Sequence, residues 1–124
     1  MIYLKENDYK IVFYVDESGT SQVKDYIDRL SVKDRAKIAK YMDFLREKAG
    51  VLDEPYSKHI RGKLRELRVD FGKNKHRIFY FTFINRKIVM LHAFLKKTEK
   101  TPESEIKKAE HNYHGVIRNK RDYE

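Results

Sequence analysis

"GKLRELRVDFGKNKHRIFYFTF", Gly62–Phe83, alternates apolar and polar residues on either side of a polar centre, and its reading decides the fold. Leu67, Val69 and Phe71 recur at the period of one strand face, while Leu64, Glu66, Arg68 and Asp70 fall on the other. The intervening "GKNK" carries turn residues, so the stretch reads as two antiparallel strands. A further strand follows after "INR", and its body, "KIVMLHAFL", is apolar at odd and even positions alike. That pattern belongs to a strand covered on both faces. Strands are expected over Lys63–Asp70, Lys75–Phe83 and Arg86–Leu95, arranged as a meander.

Working outward, "YKIVFYV" (Tyr9–Val15) predicts a first strand, ended by the turn residues "DESGT". Val23, Tyr26, Ile27 and Leu30 form one helical stripe. Ser31, with Asp34 three residues on, predicts the capped start of a second helix with Ile38, Tyr41, Met42 and Leu45 as its apolar face. Gly50 suits a left-handed stop. Residues 51–61 read as a loop containing Pro55, and Thr101 is expected to cap a last helix with Pro102 at its first position. The tail, 118–124, is expected to fray. The result is a single α+β domain over residues 1–124, ordered β-α-α-β-β-β-α, with a mainly antiparallel sheet packed by two N-terminal helices and a C-terminal helix.

Composition fits a packed globule: 40% of residues are hydrophobic, and nine Tyr and seven Phe supply large core side chains. With no cysteine there is no disulfide and no thiolate metal site, as suits a reducing compartment. No apolar run reaches membrane-spanning length, and "MIYLKENDYK" lacks the apolar core of a signal peptide, so a cytoplasmic location is expected. Ser18, Ser21, Ser57 and Ser104 lack a nucleophile-elbow context, and no glycine-rich phosphate loop occurs. His111 and His114 have the i, i+3 spacing of some metal sites but no evident third ligand, so neither metal nor cofactor is called for.

The charge is unevenly placed. The net charge is +9, yet Lys58–Lys100 alone holds 13 basic and three acidic residues, leaving 15 basic against 16 acidic elsewhere. Such a segment attracts phosphate polymers. In an antiparallel meander the start of the Lys75–Phe83 strand and the end of the Arg86–Leu95 strand share one end of the sheet. Arg77 is thereby expected near His92, Lys96 and Lys97, with Arg68 one strand away. These residue types suit metal-free cleavage of RNA by its own 2′-OH, where guanidinium and ammonium groups stabilise the extra charge on phosphorus. A His, or a Lys held among other cations, can move the protons. Only RNA carries the 2′-OH.

"KLRELR", "HRIFYF" and "VMLHAFLKKTEKTP" together resemble the RelE-like toxins, and most closely their HigB-type, phage-associated branch. The resemblance spans about Tyr9 to Ile117 and includes the element order. It implies a curved sheet backed by helices and an mRNA interferase acting on the ribosome. It also implies restraint by a cognate antitoxin, a small helix-turn-helix protein. Carried over by position, it places Arg68, Arg77, Lys96 and Lys97 in the active cleft, with Arg77 as the phosphate stabiliser. Lys63 and Arg65 are assigned to the RNA backbone, as are Lys58, His59, Lys73 and Lys75. Several relatives of this kind carry a tyrosine shortly after the lysine pair; here "TEKTPESE" has none. His92 is the first substitute for the proton-transfer role and His59 the second. Two other functions fit the same scaffold: inhibition of a protein target such as a topoisomerase, as in the ParE branch, and RNA binding without catalysis.

Overall fold

The computed structural model describes residues 8–124, so the reading of the opening residues as free of a signal sequence lies outside the described part. The elements are β1 (Lys10–Phe13), α1 (Gln22–Asp28), α2 (Val32–Glu47), β2 (Ser57–Arg61), β3 (Leu64–Phe71), β4 (Asn74–Phe83), β5 (Lys87–Leu95) and α3 (Glu103–Arg118). They build one five-stranded sheet in the order β1-β5-β4-β3-β2. β1 runs parallel to β5, and every other pair is antiparallel. The α+β class and the expected meander are therefore present. No described helix is long and apolar enough to cross a membrane.

Two apolar layers explain why β5 has no polar face. Ile38, Met42 and Leu45 of α2 pack with Leu67, Val69, Ile78, Tyr80 and Met90 on one side of the sheet. On the other side, Ile106, Ala109 and Val116 of α3 pack with Leu64, Phe79, Phe81, Val89 and Leu91. The aromatic run of β4 is core, with Phe79, Tyr80 and Phe81 all at most 1% exposed. Between the helices and β4 lies a buried polar contact: His76 Nε2 is 2.8 Å from Asp34 Oδ2, and its Nδ1 is 2.7 Å from the Tyr26 hydroxyl. Burial, and next the Asp34 charge, push the Tyr26 hydroxyl up to about 12.

Four expectations need correction. Residues 51–61 are not all loop, because Ser57–Arg61 pairs with β3 as an edge strand. Thr101 does not cap α3; Pro102 takes that position, and the Thr101 hydroxyl donates to Glu66 Oε2 at 2.9 Å. Phe71, placed on the core face by period, is 36% exposed because it ends its strand beside the turn. The tail is pinned: Tyr123 is 6% exposed, its hydroxyl accepts from the Val15 amide at 3.0 Å and donates to the Val15 carbonyl at 3.1 Å. Ser31, by contrast, caps α2 as expected, accepting from the Asp34 amide at 3.2 Å.

Gly50 ends the α2 region with φ +86°, its amide donating to the Leu45 carbonyl at 2.8 Å and its carbonyl accepting the Tyr80 hydroxyl at 2.7 Å. A Cβ at this position would meet Thr82 Oγ1. Gly50→Ala is expected to cost about 2 kcal/mol in urea unfolding, from the left-handed backbone and the contact together. In a Thr82→Ala background the same substitution should cost only about 1 kcal/mol. Equal costs in both backgrounds would show that the contact contributes nothing.

Candidate active site

The α3 side of the sheet is apolar where the helix lies and ionic beyond its first turn. Register places Glu66, Arg68 and Asp70 of β3 on that side, facing Phe79, Arg77 and Lys75 of β4. Lys58 of β2 pairs with Glu66 and shares its face. Arg77 in turn opposes Phe94 of β5, and the amide of Lys96, just past β5, donates to the Lys75 carbonyl at 2.8 Å. Arg68, Lys75, Arg77 and Lys96 thus gather at one end of the sheet, as the meander predicts.

Arg68 and Arg77 are directly opposed, an arrangement that is unfavourable for like charges unless each is compensated. Compensation comes from the acids on either side of Arg68 along the same strand face. Arg68 Nε donates to Glu66 Oε1 at 2.9 Å, and Arg77 Nη1 donates to Asp70 Oδ1 at 2.7 Å and to the His76 carbonyl at 2.9 Å. Glu66 is fully buried, held between Arg68 and Thr101. Arg77 is 5% exposed, and its Nε is the one buried side-chain polar atom among the described residues with no hydrogen-bond partner. Asp70, in contrast, has a side chain 58% exposed. The arrangement holds a nearly buried guanidinium with a donor to spare, gripped by an anion at the surface.

Lys96 is half-buried beside this group, and burial lowers its pKa from the ordinary lysine value. The Arg77, Arg68 and Lys75 charges push the same way, and Glu66 opposes them. A lysine depressed in this way is better matched to proton transfer near neutral pH than a free one.

The other assigned residues divide. Lys97, Lys73 and Lys75 are exposed at the same end of the sheet, and Lys58 is exposed on the cluster's face. Lys63 is exposed in the β2–β3 turn, roughly 16 Å from Arg68 at about 3.3 Å per residue along β3. Arg65 projects to the α2 side, where its Nε donates to Ser57 Oγ at 3.2 Å. His59 is likewise distant, its Nε2 2.7 Å from the Gly62 carbonyl. His92 lies on the same face as Arg77, one cross-strand pair further along. It opposes Phe79, stacks on Phe94 at 6.2 Å, and meets Glu105 of α3 through Nε2. The register slips past Leu91 between Phe79 and Tyr80, which turns His92 to the α3 face, where Glu105 takes up its ring. Burial lowers the His92 pKa, with Glu105 opposing.

Glu66, Asp70 and Thr101 are the site residues that sequence reasoning underweighted. The first two were visible as acids at i−2 and i+2 of Arg68 on one strand face. No local signal ties Thr101, 35 positions away, to Glu66.

Residues 25–114 match the family described as Phage derived protein Gp49-like (DUF891), which is a family of RelE/HigB-like toxins. That is most of the chain, and the protein belongs to this family. No curated protein matches the sequence closely enough to add to this.

The buried end of the Glu66–Arg68 pair sets a stability expectation. Arg68→Ala strands a fully buried carboxylate and should cost about 3 kcal/mol in urea unfolding. The double variant Glu66→Leu/Arg68→Met should be less destabilised than Arg68→Ala alone. A double variant as unstable as the sum of its parts would mean that the two residues do not act as a pair.

Proposed function

We propose that this member of the Gp49-like family is the toxin of a toxin–antitoxin pair, a HigB-type endoribonuclease that cuts mRNA on the ribosome without a metal. The observation that carries the reading is the Arg68, Lys75, Arg77 and Lys96 cluster, in which buried Arg77 keeps an unused donor behind an exposed anion. A phosphodiester can take the place of the Asp70 carboxylate, exchanging one anion for another on Arg77 Nη1. Arg77 then stabilises charge on the pentacoordinate phosphorus, where a fixed guanidinium outperforms mobile water. Arg68, held by Glu66, supports the same charge from the facing strand.

The reaction balances as a transesterification. The 2′-hydroxyl gives up its proton to solvent, its oxygen forms a bond to phosphorus, the bond to the leaving 5′-oxygen breaks, and the products are a 2′,3′-cyclic phosphate and a 5′-hydroxyl. The 5′-oxygen needs a proton; Lys96, half-buried beside Arg77, is assigned to give it and takes one back from solvent. His92, engaged with Glu105, is assigned a structural role. Exposed Lys58, Lys73, Lys75 and Lys97 serve RNA approach, with affinity that falls steeply in salt. The antitoxin is the protein partner that membership in a toxin family implies.

The reading is tested by inducing the wild type, Arg77→Lys and Lys96→Met in bacterial cells and mapping mRNA 5′ ends. Wild type is expected to arrest growth and create new 5′-hydroxyl ends; Lys96→Met, folded by circular dichroism, should reduce them about 100-fold or more. Growth arrest without new ends would overturn the ribonuclease reading in favour of a protein target, and no arrest from folded wild type would leave an RNA-binding module. The pH profile adds a second check. With Lys96 as the acid, the cleavage rate falls as pH rises through its lowered pKa, so the descending limb lies below the ordinary lysine range of about 10.4. Lys96→Arg keeps the charge but not the titration, and should lose that limb along with most of the rate.

A further inference from the structure

A large groove lies on the opposite side of the molecule's sheet from the cationic cluster. It has a volume of about 920 Å³ and is lined by α2, the segment 51–56 and Phe71. Ala36, Lys40, Phe44 and Lys48 line it at successive helical turns, with Lys37 and Tyr41 alongside. This wall runs about 18 Å, at ~1.5 Å per residue. Val51, Leu52 and Tyr56 form the facing wall. Among the described residues eight large hydrophobic side chains are exposed, and four of them, Phe44, Val51, Tyr56 and Phe71, line this groove. Scattered exposed apolar residues need no explanation; half of them collected along three helical turns do.

We propose that this groove receives an acidic amphipathic helix of a protein partner. The length of the wall suits about 12 residues of helix, more than a compact small molecule would span. The sign of the partner's charge follows from the rim, where Lys40 and Lys48, with Lys37 already donating to the Asp70 carbonyl, stand against the single acid Asp53. A basic helix would add like charge to this rim, whereas glutamates flanking an apolar stripe would meet Lys40 and Lys48. Single-stranded nucleic acid also combines with lysine and aromatic residues, by stacking bases on ring faces. Here three of the four lining rings already have an ammonium over them: Lys37 Nζ lies 5.9 Å from the Tyr41 ring centre and 5.4 Å from that of Phe71, and Lys40 Nζ lies 5.8 Å from that of Phe44. The groove therefore presents exposed apolar side chains rimmed by ammonium groups, a surface for leucine or phenylalanine anchors with acidic flanks. The proposal is independent of RNA cleavage, since none of the cluster residues lines the groove.

The test is a titration of the isotope-labelled full chain, followed by NMR. The probe is a helix-stabilised peptide of about 14 residues, with leucines at i, i+3, i+4 and i+7 and glutamates on their flanks. Amide shifts are expected at Lys40, Phe44, Tyr56 and Phe71, and binding should weaken about tenfold or more when the glutamates are changed to lysines. Lys40→Glu/Lys48→Glu, which alters only exposed side chains, should reverse that preference. Failure of the acidic peptide to shift these amides at about 1 mM overturns the proposal, since that concentration marks only ~4 kcal/mol of affinity. Equal binding of the acidic and basic peptides also overturns it, as does preferential shifting of the same amides by a single-stranded RNA oligonucleotide. None of these outcomes bears on whether Lys96 supports RNA cleavage, so the two readings fail separately.

Discussion

A sheet packed on both faces can carry charge only where its covering helix ends, and the organisation of this protein follows from that constraint. α3 buries Phe79, Phe81, Val89 and Leu91, and its first turn reaches the edge of this apolar layer. There Thr101 meets Glu66 and Glu105 meets His92, so polar groups at the boundary are satisfied by the helix start itself. Beyond the boundary, Arg68 and Arg77 face one another across two strands. A carboxylate buried as fully as Glu66 is costly without partners, and its two hydrogen bonds hold Arg68 and the entry to α3 in one arrangement. The site is thus the exposed continuation of an internal ionic ladder. Its geometry is set by the same strand pairing that sets the core.

What the sequence made legible was whatever repeats locally. The alternation in Leu67, Val69 and Phe71 assigned the faces of β3, and the uninterrupted apolar run in β5 announced a strand buried twice over. Ser31 with Asp34 marked a helix start. The arginines were assembled correctly with Lys96 because antiparallel register alone brings the start of β4 to the end of β5. β2 escaped because "SKHIR" has a single large apolar residue, as an edge strand facing solvent can. Its polar character, which serves to protect the edge, also erases the signal by which strands are recognised. The engagement of His92 was hidden for a different reason: Glu105 lies 13 positions away on α3, and the one-residue register slip that turns His92 to that helix is invisible to a period-two count. Tyr123 and Thr101 depend on partners 108 and 35 positions away, beyond any local pattern.

Nine of the 13 basic residues of the Lys58–Lys100 segment separate into two physical classes, and the division bears on why the charge is concentrated there. Arg61, Arg68 and Arg77 pair with Glu103, Glu66 and Asp70, contacts that position strands and helix relative to one another. Lys58, Lys63, Lys73, Lys75, Lys96 and Lys97 form no salt bridge among the described residues. Exposed lysines of this kind add little to folding, since even paired surface charges contribute only about 0–1 kcal/mol. Lys75, together with Arg77 and Arg68, repels the half-buried Lys96, and that repulsion adds to burial in lowering its pKa. Their common field extends roughly 10 Å at 0.1 M salt, far enough to act on a polyanion before contact. That repulsion is confined to one end of the sheet, while the chain outside Lys58–Lys100 is nearly neutral.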